Sequence, residues 1–254
     1  MLSLKVRIKG CEGELRTEIF GVGFDDMTAE QAVSFANDTI NAGEKAYIVT
    51  PNPEIVWIAR KDKPLRDSIN SAALVLPDGV GIILAAKILG TPLRELIPGI
   101  DFTTLLLDKL SNSGGSVFLL GAKPGVAEEA SRKLIDSHPG LVIAGVADGY
   151  FTDDRPVIEQ INSACPDLLL VCLGAPKQEL WMAGSISKLN VRICVGLGGA
   201  LDVFAGTVKR APMLFRRLGL EWLYRLIREP RRIKRMIKLP LFILAILLMR
   251  LRRR

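Results

Sequence analysis

Short continuous apolar runs alternate along this chain with stretches whose apolar residues recur every three or four positions. The runs fall at residues 46–49, 74–76, 116–120, 141–146, 168–173 and 191–195, each bounded by glycine, proline or polar residues. The helical stretches fall at 28–41, 53–60, 80–89, 99 to about 110, 126–137 and 156–163, with another opening after 174–179. A strand apolar along its whole length is buried on both faces, as in a parallel sheet with helices on each side. The alternation of strand and helix supplies the crossover connections that such a sheet needs. An α/β fold with an open, mostly parallel sheet covered on both faces is therefore predicted. Residues 4–24 alternate only weakly and contain Gly10, Gly13, Gly21 and Gly23, which predicts a hairpin or edge ribbon.

Capping chemistry marks two of the helix starts. Thr28 and Gln31 have the spacing of a capping box. Asn52 followed by Pro53 fits an N-cap and a first helical residue. In open α/β sheets, ligands sit beyond the carboxyl ends of the strands. The residues just past strands 46–49 and 74–76 then face a crevice, and they are Thr50 and, after Pro77, Asp78. Asp78, with Gly79-Val80-Gly81 behind it, is the first candidate for chemistry; the competing reading is that it caps the next helix. For Asn52, capping is the stronger reading.

Three more strand-to-helix loops stand at the same end, at 121–125, 174–179 and 196–199. Their glycines let backbone N–H groups approach a phosphate at a helix start, and Gly121, Lys177 and Gly198 are the candidate contacts. Singly these are turns; together they point to a nucleoside-diphosphate crevice. Neither Gly79-Val80-Gly81 nor Gly196-Leu197-Gly198 continues into a dinucleotide fingerprint, and no Walker A sequence is present. A nicotinamide-dependent oxidoreductase is thereby disfavoured.

Charge adds an asymmetry that the apolar pattern does not show. The 254 residues carry a net +7, yet residues 206–254 hold 15 lysines and arginines against Glu221 and Glu229. That end is a cation and the remainder mildly acidic, which calls for an anionic partner, phosphate or lipid. The predicted organisation is a catalytic α/β domain over 1–205 and a basic, amphipathic, membrane-associating appendage over 206–254. Within the appendage Leu220, Leu223, Leu226, Ile227, Ile233, Met236 and Ile237 recur at helical spacing, with Arg225, Arg228, Arg232 and Arg235 on another face. Pro230 divides this into two helices. The apolar stretch 239–249, closed by Arg250, Arg252, Arg253 and Arg254, is shorter than the ~20 residues of a spanning helix. It reads as a segment lying in the interface of an anionic leaflet. Packing against the body competes equally for 220–227, whereas the membrane reading is favoured for 239–249. A nucleic-acid arm is not expected, because it gives that apolar stretch nothing to do.

Other chemistries recede. Cys11, Cys165, Cys172 and Cys194 form no CxxC pair and read as reduced thiols. The single histidine, His138, lies in a turn-forming Ser-His-Pro-Gly, so neither a histidine triad nor a zinc site is expected. Asp25-Asp26 and Asp153-Asp154 lack the Asp-x-Asp spacing with which many sugar-nucleotide enzymes hold a divalent ion. No metal and no cofactor are expected. The first residues contain no apolar core of a secretory signal, and none is expected. A homo-oligomer is compatible with the sequence, which does not fix the oligomeric state.

Thr50-Pro51-Asn52-Pro53, Leu76-Pro77-Asp78-Gly79-Val80-Gly81, Phe118-Leu119-Leu120-Gly121, Leu173-Gly174-Ala175-Pro176-Lys177-Gln178-Glu179 and Gly196-Leu197-Gly198-Gly199 occur in that order. Val208-Lys209-Arg210-Ala211-Pro212 and Leu218-Gly219-Leu220-Glu221-Trp222 follow. In these motifs and their spacing, over nearly its whole length, the chain resembles the WecG/TagA/CpsF glycosyltransferases. The resemblance implies a Rossmann-like fold and an inverting, metal-independent transferase at the cytoplasmic face of the membrane, bound peripherally. The implied reaction moves a sugar, commonly N-acetylmannosamine, from a UDP-sugar donor to undecaprenyl-diphosphate-linked N-acetylglucosamine, an early step in wall teichoic acid or related glycan assembly. It places Asp78 as general base, Thr50 and Gln178 in the pocket, and Arg225, Arg232 and Arg235 as arginines completing the site at the membrane. One departure stands out: the family's usual arginine ahead of Gly99-Ile100-Asp101 is Leu96 here. Arg94 or a tail arginine takes over its task, or the donor differs, with UDP-N-acetylmannosaminuronate and UDP-glucose as alternatives. A non-catalytic peripheral membrane protein on the same fold is the rival from another class.

Overall fold

A computed structural model describes residues 16–217, 219–228 and 238–252. Its centre is a six-stranded sheet of β3 (Ala46–Val49), β4 (Leu74–Val75), β5 (Ser116–Gly121), β6 (Val142–Ala147), β7 (Leu168–Cys172) and β8 (Ile193–Gly196). The spatial order is β4-β3-β8-β7-β5-β6, and every pairing is parallel. Successive residues feed opposite layers, as strand pleating requires. Tyr47 and Val49 join one apolar cluster and Ile48 the other; Leu169 and Val171 separate in the same way from Leu168 and Leu170.

One layer consists of α2 (Pro53–Ala59), α3 (Lys63–Asn70), α4 (Val80–Leu89), α7 (Arg155–Ala164) and α8 (Lys177–Ser185). The other consists of α1 (Ala29–Asn41), α5 (Gly99–Ser113), α6 (Val126–Ser137) and α9 (Ala200–Phe204). The predicted caps are in place. Thr28 and Gln31 close a reciprocal capping box, and the Asn52 carboxamide oxygen accepts from the Glu54 and Ile55 N–H groups at 3.0 and 3.1 Å. Unanticipated is α3, started by Asp62 as N-cap with Pro64 in its first turn.

The connections explain where a ligand can enter. From β5 the chain crosses to β6 at one edge, whereas from β7 it turns back to β8. The strand order reverses between β5 and β7, and a crevice opens beyond their carboxyl ends. The predicted ribbon is an antiparallel hairpin, β1 (Thr17–Ile19) with β2 (Val22–Phe24), lying outside the main sheet.

The basic end of the chain contributes α10 (Met213–Arg217), α11 (Glu221–Arg228) and α12 (Lys238–Arg252). The last of these corrects the reading of 239–249 as wholly a membrane element. α12 packs against α4 and α2, and Phe242 and Ile246 are fully buried there. The Phe20 ring meets Phe242 edge-on at 5.6 Å. Lys238 pairs with Glu54 at 3.3 Å, and Arg250 donates to the Leu89 carbonyl at the end of α4 at 2.9 Å. Leu241, Leu244, Leu247, Leu248 and Leu251 remain exposed. No helix among the described residues is long and apolar enough to cross a membrane. Phe242→Ala is expected to destabilise the fold by about 3–5 kcal/mol, the cost of emptying a phenylalanine site in a core. Urea unfolding measures it, and a loss below about 1 kcal/mol contradicts the docking of α12.

Candidate active site

Two neighbouring strand ends build the first half of the site. β3 and β4 pair in register, so the loops 50–53 and 76–79 leave the sheet together. The Asp78 N–H reaches the Pro51 carbonyl at 3.4 Å, and Ile97 donates to the Pro77 carbonyl at 2.9 Å. Asp78 does not cap α4. The N-cap is Gly79, at φ +90°, and it makes no side-chain capping bond. A side chain at 79 would be strained, and its Cβ would press on Pro53 Cδ at 3.2 Å. The glycine thus holds the half-buried Asp78 one residue ahead of the helix, which settles the capping reading against it.

Behind Asp78 lies a buried polar network. Thr50 donates its hydroxyl to the Gly196 carbonyl at 3.1 Å. Gln178 accepts from the Gly198 N–H at 2.9 Å and donates to Glu179 at 2.9 Å. Two glycines make room for it: a Cβ on Gly99 would meet Thr50 Oγ1 at 2.7 Å, and one on Gly196 would meet Gln178 Nε2 at 3.2 Å. Thr50 and Gln178 are both buried, so they fix the loop after β8.

Glu179 is nearly sealed, and its second carboxylate oxygen has no partner. Burial raises its pKa, against the lowering effect of the Gln178 hydrogen bond. A raised carboxyl holds its proton longer folded than unfolded, so stability present below the unfolded pKa, ~4.3, falls as pH rises towards the folded value. Glu179→Gln is expected to flatten that slope, which for one group is at most about 1.4 kcal/mol per pH unit. Urea titrations from pH 4 to 8 check this; an unchanged slope contradicts it.

The second half is an open cavity of about 760 Å³ at the reversal point between β5 and β7. Lys123, Tyr150, Phe151, Lys177, Gly198 and Asp202 are among its walls. Lys177 donates to the Gly149 carbonyl at 3.1 Å and lies 4.4 Å from the centre of the Phe151 ring. Gly198 lines the cavity while its N–H holds Gln178, so it joins the two halves. Gly121 has a packing reason to be glycine, since a Cβ there would come within 2.3 Å of the Cys172 carbonyl oxygen. Burial pushes the Cys172 thiol up to about 12, making it an inert wall. The acidic pairs are occupied: Asp25 with Arg16 and the Val75 N–H, Asp26 with Arg94, Asp153 with Arg155, and Asp154 with the Trp181 indole.

Arg210 reaches in from the start of the basic segment. Both its terminal nitrogens lie 2.6 Å from the Asp101 carboxylate, and its Nε is buried without a partner. Burial pulls its pKa down, but the Asp101 hydrogen bonds and the charges of Asp101, Glu221 and Asp78 outweigh that and raise it. A fixed cation therefore stands within electrostatic reach of Asp78. Sequence reasoning did not single out Arg210, Asp101, Tyr150, Asp202 or Glu179 as site residues. Arg210 and Asp101 are 109 positions apart, and only the fold pairs them. Arg94, weighed as a stand-in at the Leu96 position, is held by Asp26 at 3.2 Å. Of the tail arginines, Arg225 lies in α11, and Arg232 and Arg235 lie outside the described residues.

Comparison with known proteins agrees with this geometry. Residues 17–254 match the profile described as "Glycosyl transferase WecG/TagA/CpsF family". A protein of Bacillus spizizenii named N-acetylglucosaminyldiphosphoundecaprenol N-acetyl-beta-D-mannosaminyltransferase is 39% identical over 225 residues, 88% of each chain. Proteins with the same name from Bacillus subtilis and Staphylococcus aureus are 40% identical over 202 residues and 36% identical over 236 residues. These alignments cover 80% of this chain and 79% of the B. subtilis protein, and 91% and 92% for the S. aureus pair. An α/β sheet with a cavity at its reversal point and this likeness over most of its length place the chain in the WecG/TagA/CpsF family of glycosyl transferases.

Proposed function

We propose that this glycosyl transferase moves N-acetylmannosamine from its UDP donor to undecaprenyl-diphosphate-linked N-acetylglucosamine, with inversion, at the cytoplasmic face of the membrane. The product belongs to wall teichoic acid or a related surface glycan. The observation that carries the reading is the junction at Gly198. It lines the 760 Å³ cavity and is bonded to the Gln178 network behind the Asp78 loop.

UDP occupies the cavity. Tyr150 and Phe151 offer faces for the uracil, Asp202 accepts from ribose hydroxyls, and Lys123 and Lys177 face the diphosphate. Asp78 takes the proton from the acceptor hydroxyl as that oxygen bonds to the anomeric carbon. The bond from this carbon to the β-phosphate oxygen breaks on the opposite side, and UDP leaves with the electron pair. The lysines and the starts of α6 and α8 offset its charge without a metal ion. Arg210, paired with Asp101 and within electrostatic reach of Asp78, offers positive charge that Leu96 does not. Arg225, Arg232 and Arg235 complete the acceptor side, with Thr50, Asn52 and Gly121 shaping the pocket floor.

Leu96 favours one second reading, a different donor sugar on the same site. Both are tested by incubating the full chain with UDP-N-acetylmannosamine, UDP-N-acetylmannosaminuronate or UDP-glucose and a prenyl-diphosphate-linked N-acetylglucosamine. UDP release with a lipid-linked disaccharide of matching mass is expected with the first donor. Turnover with another donor alone moves the assignment to that sugar, and none with any overturns it.

A further inference from the structure

A second concavity, of about 430 Å³, lies between α11 and α12 and is lined by Trp222, Leu239, Pro240, Ile243, Leu244 and Leu247. All six side chains are apolar, in the most cationic part of the sequence. We propose that this groove binds the isoprenoid chain of the acceptor next to its diphosphate, an assignment that rests on the lipid-linked acceptor proposed above.

Three observations select that occupant. The first is position. Leu239, at one end of the groove, leans on the first turn of α4: a Cβ on Gly81 would stand 2.8 Å from its Cδ1. Gly219, three residues before Trp222, abuts Val80 so closely that its own Cβ would lie 3.0 Å from Val80 Cγ2. Both contacts fall two or three residues after Asp78, so the groove runs away from the carboxylate proposed to receive the acceptor's hydroxyl proton.

The second is the division of α12 into faces. Phe242 and Ile246 point into the body, Leu241, Leu248 and Leu251 point outward, and Leu239, Ile243 and Leu247 line the groove. A bilayer suits the outward face. A concavity with an indole wall suits one flexible chain, and its volume lies in the ~300–1,000 Å³ range of ligand clefts. The third is charge. Arg210, held by the Asp101 carboxylate, stands within electrostatic reach of Asp78, on the side where a diphosphate joined to that chain would lie. Only an amphiphile with an anionic head matches both ends.

The test uses the full chain and two probes, farnesyl diphosphate and methyl diphosphate, with binding read by calorimetry. Farnesyl diphosphate is expected to bind at least ten-fold more tightly. Trp222→Ala and, separately, Leu244→Ser are each expected to remove most of that difference without changing methyl diphosphate affinity. Leu244 is 54% exposed, so its replacement keeps the test readable where the tryptophan variant fails to fold. Equal affinity for the two probes, or variants that weaken both alike, overturns the assignment. So does a Trp222→Ala protein that loses binding to anionic vesicles but keeps farnesyl diphosphate, because the groove then serves the bilayer. Binding is read without turnover, so a failure to transfer sugar tells against the proposed reaction and leaves this result standing by itself.

Discussion

Replacing Asp78 with asparagine is expected to cut sugar transfer by roughly 10²–10⁴-fold, the range that a positioned general base supplies. Asparagine keeps the shape and lacks the basic oxygen. The fold is expected to persist, because asparagine is isosteric with aspartate. Asp78 makes no cap for α4, and the backbone around it is fixed by Pro51, Ile97 and the left-handed Gly79. UDP affinity is expected to stay within about two-fold, because the cavity walls exclude residue 78. Initial rates with saturating donor, together with calorimetric titration of UDP, measure the two effects separately. A variant that turns over at more than a tenth of the wild-type rate removes Asp78 from the base role. A variant that loses UDP binding as well shows that the two halves of the site are not separable as described.

The second large effect concerns the outward face of α12. Exchanging Leu241, Leu248 and Leu251 together for serine is expected to weaken binding to anionic vesicles by about 100-fold. These residues are 47, 51 and 66% exposed, so their side chains can enter a bilayer. A leucine contributes about 1.5–3 kcal/mol when fully buried. With only half of each immersed, three leucines contribute about 2.3–4.5 kcal/mol, a range that brackets the ~2.8 kcal/mol of a 100-fold change. Phe242 and Ile246 are untouched, so the melting temperature should hold within a few degrees. Each basic residue near the surface adds about 1 kcal/mol, and binding of the wild type should therefore fall steeply with salt. Vesicle sedimentation at two salt concentrations reads both effects. Full binding by the triple variant places the membrane contact elsewhere.

Much of this was legible in the residues, for reasons that differ from element to element. Strands buried on both faces announce themselves as unbroken apolar runs, and a helix opening on Thr28 and Gln31 or on Asn52 and Pro53 carries its cap in its sequence. Asp78 was recognisable because it follows a strand end. Whether it capped α4 depended on the backbone angle of Gly79, which a sequence does not express. The apolar stretch 239–249 misled in part, because its near-continuous hydrophobicity hides which side is covered. The burial of Phe242 and Ile246 follows from α2 and α4, elements far away along the chain. Pairings across long separations, such as Arg210 with Asp101, exist only once the sheet has ordered its loops.

The proposed reaction is a single displacement in which the Asp78 carboxylate deprotonates the acceptor. Its most direct measurement is the anomeric configuration of the new linkage, read by NMR on product made by the wild-type protein from an α-linked UDP-N-acetylmannosamine donor. One displacement predicts a β-linked disaccharide. An α linkage requires two displacements or front-side attack, and it rules out a single displacement at Asp78.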